Sequence, residues 1–376
     1  MVTSIALSVR HKKLLIQFLL LAGTIVLGWS ALNNARTNLD ALGITSGFAF
    51  LDRATGLGYS FSLVPRSIDD SYARTLFIGF MNTLFVGFIS IFLSTILGFA
   101  IGSLRGSSKL GLQALSSVYV QIFRNIPLIL QLVFWYSVLI HLPGPRQAYS
   151  FMDAVFLSNR GLLLPMLNIP IWLALGLILV SLLLGFMLIR RKTALLRGLM
   201  IWTFSCVALF ALASVIMTPA GESSVSVPAL KGLRFQGGLT ISVELVAMIV
   251  AIVLYGSAYI AEVVRGGLEG VPVNLVEAGK ALGLNRRVIW SDIKMPLALR
   301  SIIPPLGNQW IFIMKATTIG VAIGFSDLFM LVSTSITQSG QTLELIGILM
   351  GGFLLVNFSL AQFINWLNQH IALKAH

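Results

Sequence analysis

The chain alternates long apolar runs with short polar or basic turns. About 20 consecutive apolar residues form a helix long enough to cross the hydrocarbon core of a bilayer. Runs near that length lie at 14–32, 75–103, 118–141, 171–189, 199–217, 240–262, 303–324 and 343–367. The pattern therefore predicts a polytopic, all-α membrane protein with eight spans.

The first run admits a second interpretation. Basic residues from Arg10 to Lys13 precede it and Ser30-Ala31-Leu32-Asn33 follows it, which resembles a secretory signal with a cleavage site. Its apolar stretch is longer than that of most signals, so we favour a retained span. Cleavage would leave seven spans.

Basic residues distinguish the two sides of the predicted membrane protein. The segment before the first run and the turns at 105–109, 190–197 and 265–300 fall on one side and are rich in Lys and Arg. Such residues near span ends mark the cytoplasmic side, so both termini are expected in the cytoplasm. The formal net charge of +13 is thus explained by topology, and no aromatic interleaving indicates a nucleic-acid partner.

Composition argues against a soluble enzyme, because 57% of the residues are hydrophobic and 10% are charged. The single cysteine, Cys206, has no partner for an internal disulfide, and no cluster of Cys and His has the spacing of a zinc site. No Gly-rich nucleotide-binding motif and no nucleophile with a base are evident. We predict a non-enzymatic chain with no catalytic residue and no metal.

Four parts follow along the chain. Residues 1–72 hold the N-terminal span and a periplasmic linker, in which Phe48, Phe50 and Leu51 predict an apolar stripe on the membrane surface. Residues 73–141 form the first part of a helical core. Residues 142–237 are an insertion of periplasmic loops around a peripheral helical hairpin, and 238–376 form the second part of the core.

A long polar loop at 263–300 separates two runs of the second core part. Pro272 opens a predicted helix through Leu282, and Gly283 suits the left-handed position that ends a helix. Asn285 is placed to cap a second short helix, which Pro296 is expected to end.

The spacing within this loop is specific. Glu277-Ala278-Gly279, three residues, Gly283, nine residues and Ile293-Lys294-Met295-Pro296 resemble the EAA loop of ABC importer permeases, with Gly279 in place of an alanine and Met295 in place of a leucine. In that family the loop docks on a cytoplasmic ATPase, and we call the segment 263–300 the coupling loop. The resemblance implies that the coupling residues are Glu277, Ala278, Gly279, Gly283, Leu284, Ile293 and Pro296.

Four flanking motifs narrow the resemblance to the polar amino acid (histidine/glutamine-type) permeases. They are Arg124-Asn125-Ile126-Pro127-Leu128-Ile129-Leu130-Gln131-Leu132, Tyr259 to Gly267, Pro304-Pro305-Leu306-Gly307-Asn308-Gln309 and Lys315-Ala316-Thr317-Thr318. The extra N-terminal span and the insertion resemble a permease subunit of general L-amino-acid transporters. The implied fold is a type I importer permease, a five-helix core with three additional spans.

This resemblance also implies the partners and the mechanism. The expected partners are a cytoplasmic ABC ATPase dimer that binds ATP and Mg²⁺, a second related permease subunit and a periplasmic amino-acid-binding protein, all at a bacterial inner membrane. This chain itself is expected to hold no cofactor. It would import amino acids by alternating access. The alternative is a secondary amino acid transporter driven by an ion gradient, which the EAA spacing does not favour.

Charged residues at membrane depth usually face a cavity or a partner. Lys315 is placed to hold the carboxylate of an amino acid and Glu244 its amino group, or Lys315 pairs with a helix end or a partner subunit. Arg124 is expected at the headgroup level, and Glu262 and Arg265 are expected to brace the coupling loop. The resemblance adds candidates for the substrate path: Asn308, Gln309, Thr317 and Thr318.

Overall fold

The computed structural model describes residues 9–41, 47–59, 61–107, 109–190, 195–218, 223–232 and 234–371. Both chain ends and the basic turn at 191–194 lie outside this part. Its α-helices are α1 (Val9–Ala41), α2 (Tyr72–Arg105), α3 (Leu110–Asn125), α4 (Leu128–Ile140), α5 (Ile171–Arg190), α6 (Leu195–Met217), α7 (Val243–Glu269), α8 (Val273–Ala281), α9 (Arg286–Val288), α10 (Met295–Ala316), α11 (Leu328–Ser339) and α12 (Thr342–Ile371).

Short antiparallel strands lie within or beside the insertion. They are β1 (Tyr149–Phe151), β2 (Val155–Ser158), β3 (Gly161–Leu164), β4 (Met166–Leu167), β5 (Val225–Ser226), β6 (Ala229–Lys231), β7 (Arg234–Gln236) and β8 (Leu239–Ile241). One sheet has the order β1-β2-β3-β8, and β4 pairs with β5 and β6 with β7. The apolar pattern did not predict these strands.

The fold is mostly helical and membrane-spanning, as predicted. Within the described residues, five helices are long and apolar enough to cross a membrane: Lys12–Ala35, Tyr72–Arg105, Met200–Met217, Val243–Glu269 and Thr342–Gln369. Two pairs of consecutive helices are each bent at a short break, and the number of spans rises to seven if each pair counts as one. The remaining predicted span, 171–189, falls on α5, whose described apolar stretch, Gly176–Gly185, is shorter than a membrane span.

The predicted run 118–141 is a bent pair and not one straight helix. Its parts, α3 and α4, meet at an angle of 101°. Pro127 has no N–H to continue the helix, and the residue before it, Ile126, is extended. The Gln131 side chain, almost fully buried, donates to the carbonyls of Phe123 and Ile126, each at 2.9 Å, and so satisfies the open end of α3.

The predicted run 303–324 is also interrupted. After α10 the chain forms a 3₁₀ helix over Thr317–Ile323, and Gly324 with φ of 73° ends it. The following α11 is capped by Asp327, whose side chain accepts from the Met330 N–H at 2.8 Å. The segment 286–323 and α11 are bent by 48° relative to each other.

The core is built around α2 and α7. A Cβ on Gly98 would lie 2.6 Å from Ile260 Cβ, and one on Gly102 would lie 2.6 Å from the carbonyl oxygen of Ala261. These two glycines therefore let the helix backbones approach closely, as small residues spaced four apart do in membranes. In contrast, a Cβ on Gly347 or Gly351 would have no neighbour within 4 Å in the described part of the chain.

The linker before α2 packs on the core at the end where α2 and α12 begin. Phe50 is 2% exposed and its ring meets Tyr72 edge-on at 5.5 Å. Phe61 stacks on Phe85 and Phe325 at 5.9 and 5.7 Å. The expected surface stripe is thus wrong for Phe50, because burial against α2 provides an apolar contact within the chain.

Candidate functional site

The first helix of the coupling loop begins and ends as predicted. Pro272 occupies the N-cap of α8, and Gly283 has a φ of 70° after its last turn. The Gly283 N–H donates to Lys280 O at 2.9 Å and the Leu284 N–H to Gly279 O at 3.1 Å. This double closure is the Schellman arrangement, which requires a left-handed residue and therefore favours glycine.

The second helix begins as predicted but does not end at Pro296. The Asn285 side chain accepts from the Val288 N–H at 2.9 Å and so caps α9. The chain then forms a π-helix over Ile289–Lys294 and continues directly into α10. A proline ring clashes with the carbonyl four residues earlier in an α-helix, and the wider π turn before Pro296 accommodates it.

Packing between the two helices explains the glycine at position 279. Gly279 is buried, and a Cβ there would lie 2.9 Å from Ile293 Cδ1 and 3.3 Å from Ile289 Cγ1. Two β-branched side chains thus occupy the space that the family's alanine would need. Ile293 therefore acts by holding α8 against the π-helix.

The opposite side of α8 is open. Glu277 and Ala278 are exposed there, on the face away from Val276 and Gly279. Just beyond the helix end, Leu282 is 79% exposed. Within the described residues, this apolar and acidic surface is not covered.

A cluster of charges joins the helix ends near the coupling loop. The Glu262 carboxylate of α7 pairs with Arg105 at the end of α2, with Arg124 at the end of α3 at 3.2 Å, and with Arg265 one turn further along α7. Arg265 also pairs with Glu269 at 2.5 Å. The predicted bracing by Glu262 and Arg265 thus extends to α2 and α3, through two arginines whose participation the sequence did not indicate.

Lys315 lies at mid-membrane depth. Its neighbour Met314 packs on Gly87, near the middle of α2, and Ile313 packs on Gly256, near the middle of α7. The Lys315 side chain is exposed. One turn earlier on the same helix, exposed Phe312 stacks on Tyr255 of α7 at 5.8 Å.

The other predicted path residues have different surroundings. Asn308 is exposed on α10 and Gln309 is half-buried. Thr317 is fully buried and donates to Met314 O at 3.0 Å, whereas the half-buried Thr318 donates to Lys315 O at 2.9 Å. Both hydroxyls therefore support the turn after α10, and Thr318 is the more accessible.

Glu244 and Lys315 lie at different depths. Glu244 is in the first turn of α7, and Gly256, which contacts Ile313, is about 18 Å further along that helix at 1.5 Å per residue. No ion pair joins the two side chains among the described residues. The expectation that both charges hold one amino acid stays a prediction.

Asp327 is fully buried and has a structural role as the cap of α11. Asn82 and Thr83 of α2 bind the same turn, through the Ser326 carbonyl at 2.8 Å and the Leu328 N–H at 2.9 Å. Asn82 and Thr83, which the sequence did not single out, thus fix the bend together with Asp327. Among the described residues, no group of three or more His, Cys, Asp or Glu is placed to hold a metal ion.

Comparison with known proteins identifies the family. The family model for the inner membrane component of binding-protein-dependent transport systems matches residues 177–373. The putative amino-acid ABC transporter permease YhdX of Escherichia coli K12 is 38% identical over 359 residues, covering 93% of this chain and 91% of the relative. The general L-amino acid transport system permease AapQ of Rhizobium johnstonii is 34% identical over 375 residues, covering 97% and 93%.

A solved structure of an amino acid ABC transporter with histidines has a TM-score of 0.49 and 17% identity, covering 80% of this chain and 95% of that chain. The family model and the two full-length relatives decide the assignment. This chain belongs to the family of inner membrane permeases of binding-protein-dependent ABC transporters.

Proposed function

We propose that this chain is a permease subunit of an ATP-driven amino acid importer. Both long relatives carry amino acid transport in their names, and the alignments cover more than nine-tenths of this chain. The comparisons give no support to a secondary transporter driven by an ion gradient. The energy is supplied by a cytoplasmic ATPase dimer that binds ATP and Mg²⁺, while this chain is not itself an enzyme and needs no cofactor.

The observation that carries this proposal is the uncovered outer side of the coupling loop. Leu282 is 79% exposed, and Glu277 stands on the adjoining helix face. An apolar residue beside a charged one is what a groove on a partner protein can bind. We assign this surface to the ATPase.

The charge cluster offers a route from that surface to the spans. Val271 belongs to the same buried hydrophobic cluster as Leu268 of α7 and Ile302 of α10, and Val276 of α8 packs against that cluster. A displacement of α8 therefore reaches α7 and α10. Glu262 then links α7 to the ends of α2 and α3. Motion of the ATPase subunits would thus be distributed over three spans, as alternating access requires.

Two further partners complete the importer. A periplasmic amino-acid-binding protein delivers the substrate, and a second related permease faces the polar side of α10. The support for the second permease is that Asn308, Phe312 and Lys315 share an exposed side of α10 within this chain. Lys315 is placed at mid-depth to bind a substrate carboxylate, with Thr318 beside it.

The orientation follows from the basic turns. The coupling loop then faces the cytoplasm, and β4 and β5, which pair at the base of the α5–α6 hairpin, are assigned to the periplasmic side. With this orientation, successive spans cross the membrane in alternating directions and both termini lie in the cytoplasm of a bacterium. The membrane itself is the inner membrane.

Co-purification from the native membrane tests the proposal. We expect the tagged chain in mild detergent to retain an ATPase and a second permease, identified by mass spectrometry. Leu282→Glu and Glu277→Arg should each remove the ATPase, because they place a charge in an apolar contact or reverse a charge on the docking face. Lys280→Ala, on the flank of the same helix, is the matched control and should retain it.

Retention of the ATPase by both docking variants would refute the assignment of the loop. Recovery of the tagged chain without any ATPase, together with uptake driven by an ion gradient, would refute the importer itself. Immunodetection of the tagged chain in the membrane, combined with amino acid uptake into cells, separates loss of coupling from loss of the protein.

A further inference from the structure

The four-stranded sheet has one entirely apolar face. Directly paired residues of antiparallel strands share a face, and the register pairs Tyr149 with Leu157 and Phe151 with Val155. The same face continues through the next strands, where Leu157 pairs with Leu162 and Leu162 with Ile241. The residues on this face are Tyr149, Phe151, Val155, Leu157, Leu162, Leu164, Leu239 and Ile241.

The two faces of this sheet differ in how far other parts of the chain bury them. On the other face, Phe156 packs on Phe235 of β7 at 4.8 Å and Leu163 is 2% exposed. Among the described residues of the apolar face, Ile241 is the one that packs on the largest buried hydrophobic cluster of the helices. Exposure then rises towards the edge strand β1, where Tyr149 and Phe151 are 61% and 65% exposed.

The sheet lies at the level where the spans begin. Its last strand, β8, ends at Ile241, and the next residue, Ser242, caps the membrane-spanning helix α7 by accepting from the Leu245 N–H at 3.4 Å. Its first strand begins shortly after α4 ends at Ile140. The sheet is therefore joined to the helical core at the outer ends of α4 and α7, at the height of the bilayer surface.

The rim of the sheet is basic. Arg146 precedes β1 and Arg160 lies in the turn between β2 and β3, so both are at the same end of the sheet, and both are exposed. Within the described residues neither makes an ion pair. Aromatic residues with flanking arginines are typical of the boundary between hydrocarbon and headgroups, where the guanidinium groups meet lipid phosphates.

We propose that this sheet face rests on the outer surface of the lipid bilayer. Tyr149 and Phe151 insert at the level of the headgroups, and Arg146 and Arg160 bind lipid phosphates. In transient protein–protein interfaces the fraction of apolar surface area is close to that of ordinary protein surface. This sheet face, in contrast, has no polar side chain in its centre. The sheet thereby holds the outer end of α7 at a fixed height in the membrane.

Site-specific photocrosslinking in living cells tests this contact. Benzoylphenylalanine is introduced at Phe151, and separately at Tyr149, in cells grown with ³²P-phosphate, and the tagged chain is purified under denaturing conditions after irradiation. We expect several-fold more ³²P on the chain from both positions than from Ser150. This control is an exposed residue of the same strand whose side chain points to the opposite face.

Phospholipase C should release the label, because the adduct is a phospholipid and not a phosphorylated side chain. Equal labelling at positions 150 and 151 would overturn the proposal. A crosslinked protein of higher mass in place of the lipid would overturn it as well, since that result would assign the face to a partner subunit. Amino acid uptake by each variant verifies that the substituted chain is folded in the membrane.

Discussion

Two adjacent glycines of α7 differ in their surroundings. A Cβ on Gly267 would collide with Ile302 and lie 3.2 Å from the carbonyl oxygen of Ala298, whereas one on Gly266 would have no neighbour within 4 Å. Ile302 is fully buried, and the Ala298 backbone is part of α10. We expect Gly267→Ala to lower the free energy of unfolding by about 1–3 kcal/mol through overpacking.

Gly266→Ala is the matched control for this change. It adds the same methyl group to the same helix and should leave stability unchanged or slightly raised, because alanine favours helices. Thermal unfolding of the two purified variants in detergent measures the difference. Equal midpoints for both would show that α7 and α10 do not approach each other this closely.

Single residues of the coupling loop were predictable to different degrees. Gly283 and Asn285 have local roles, a left-handed end and a side-chain cap, and the sequence predicted both. The reason for Gly279 was not predictable, because it depends on Ile289 and Ile293 from the following helix. Local backbone chemistry can be recognised in sequence, whereas packing between elements requires their positions.

At the scale of elements, the ends of α2, α3 and α7 depend on one carboxylate. Glu262 is 28% exposed at its side chain, and its partner Arg105 is 14% exposed. Glu262→Gln removes the charge that faces three arginines and leaves them repelling one another. We expect a loss of about 1–3 kcal/mol of stability, below the 3–5 kcal/mol typical of a fully buried pair because water screens part of the cluster.

Glu269→Gln provides the comparison within the same cluster. Its side chain is 55% exposed and, within the described residues, it pairs with Arg265 alone, so its loss should change stability by at most about 1 kcal/mol. Thermal unfolding at low and high salt measures both variants. A Glu262 variant as stable as the Glu269 variant would mean that the cluster does not join the three helices.

Elements with long apolar runs were predicted well, and their interruptions were not. The run 75–103 became α2 at Tyr72–Arg105 with small differences at its ends. The bend after Asn125 was missed because hydropathy does not register the proline, and Gln131 satisfies the freed carbonyls from inside the next helix. The strands were missed because each is short and its pairing partner is distant in sequence, as for β3 and β8.

At the scale of the whole molecule, the α5–α6 hairpin has its own closed base. Met166 of β4 pairs with Ser226 of β5, and the Asn168 side chain donates to Ser223 O at 2.8 Å, so the chain enters and leaves the hairpin at one place. The two helices contact each other through Trp202, whose indole N–H donates to Ser181 O at 2.7 Å.

This closed base predicts that the hairpin is removable. Replacing residues 171–217 by a short Gly-Ser linker joins two points that β4 and β5 already hold together, so closing the shorter loop costs little entropy. We expect the shortened chain to insert and to unfold at the same temperature as the intact one, because the α2–α7 core is unchanged. Removing α12, whose Ile364 packs on Gly307 of α10, should instead prevent folding.

Fluorescence-detected size-exclusion chromatography after heating compares the three chains. Amino acid uptake by the chain without the hairpin adds a functional measurement. Uptake equal to that of the intact chain would show that the hairpin is peripheral to transport, while a folded but inactive chain would place a partner contact on the hairpin. A shortened chain that unfolds at lower temperature would contradict the modular arrangement, since the core would then depend on α5 or α6.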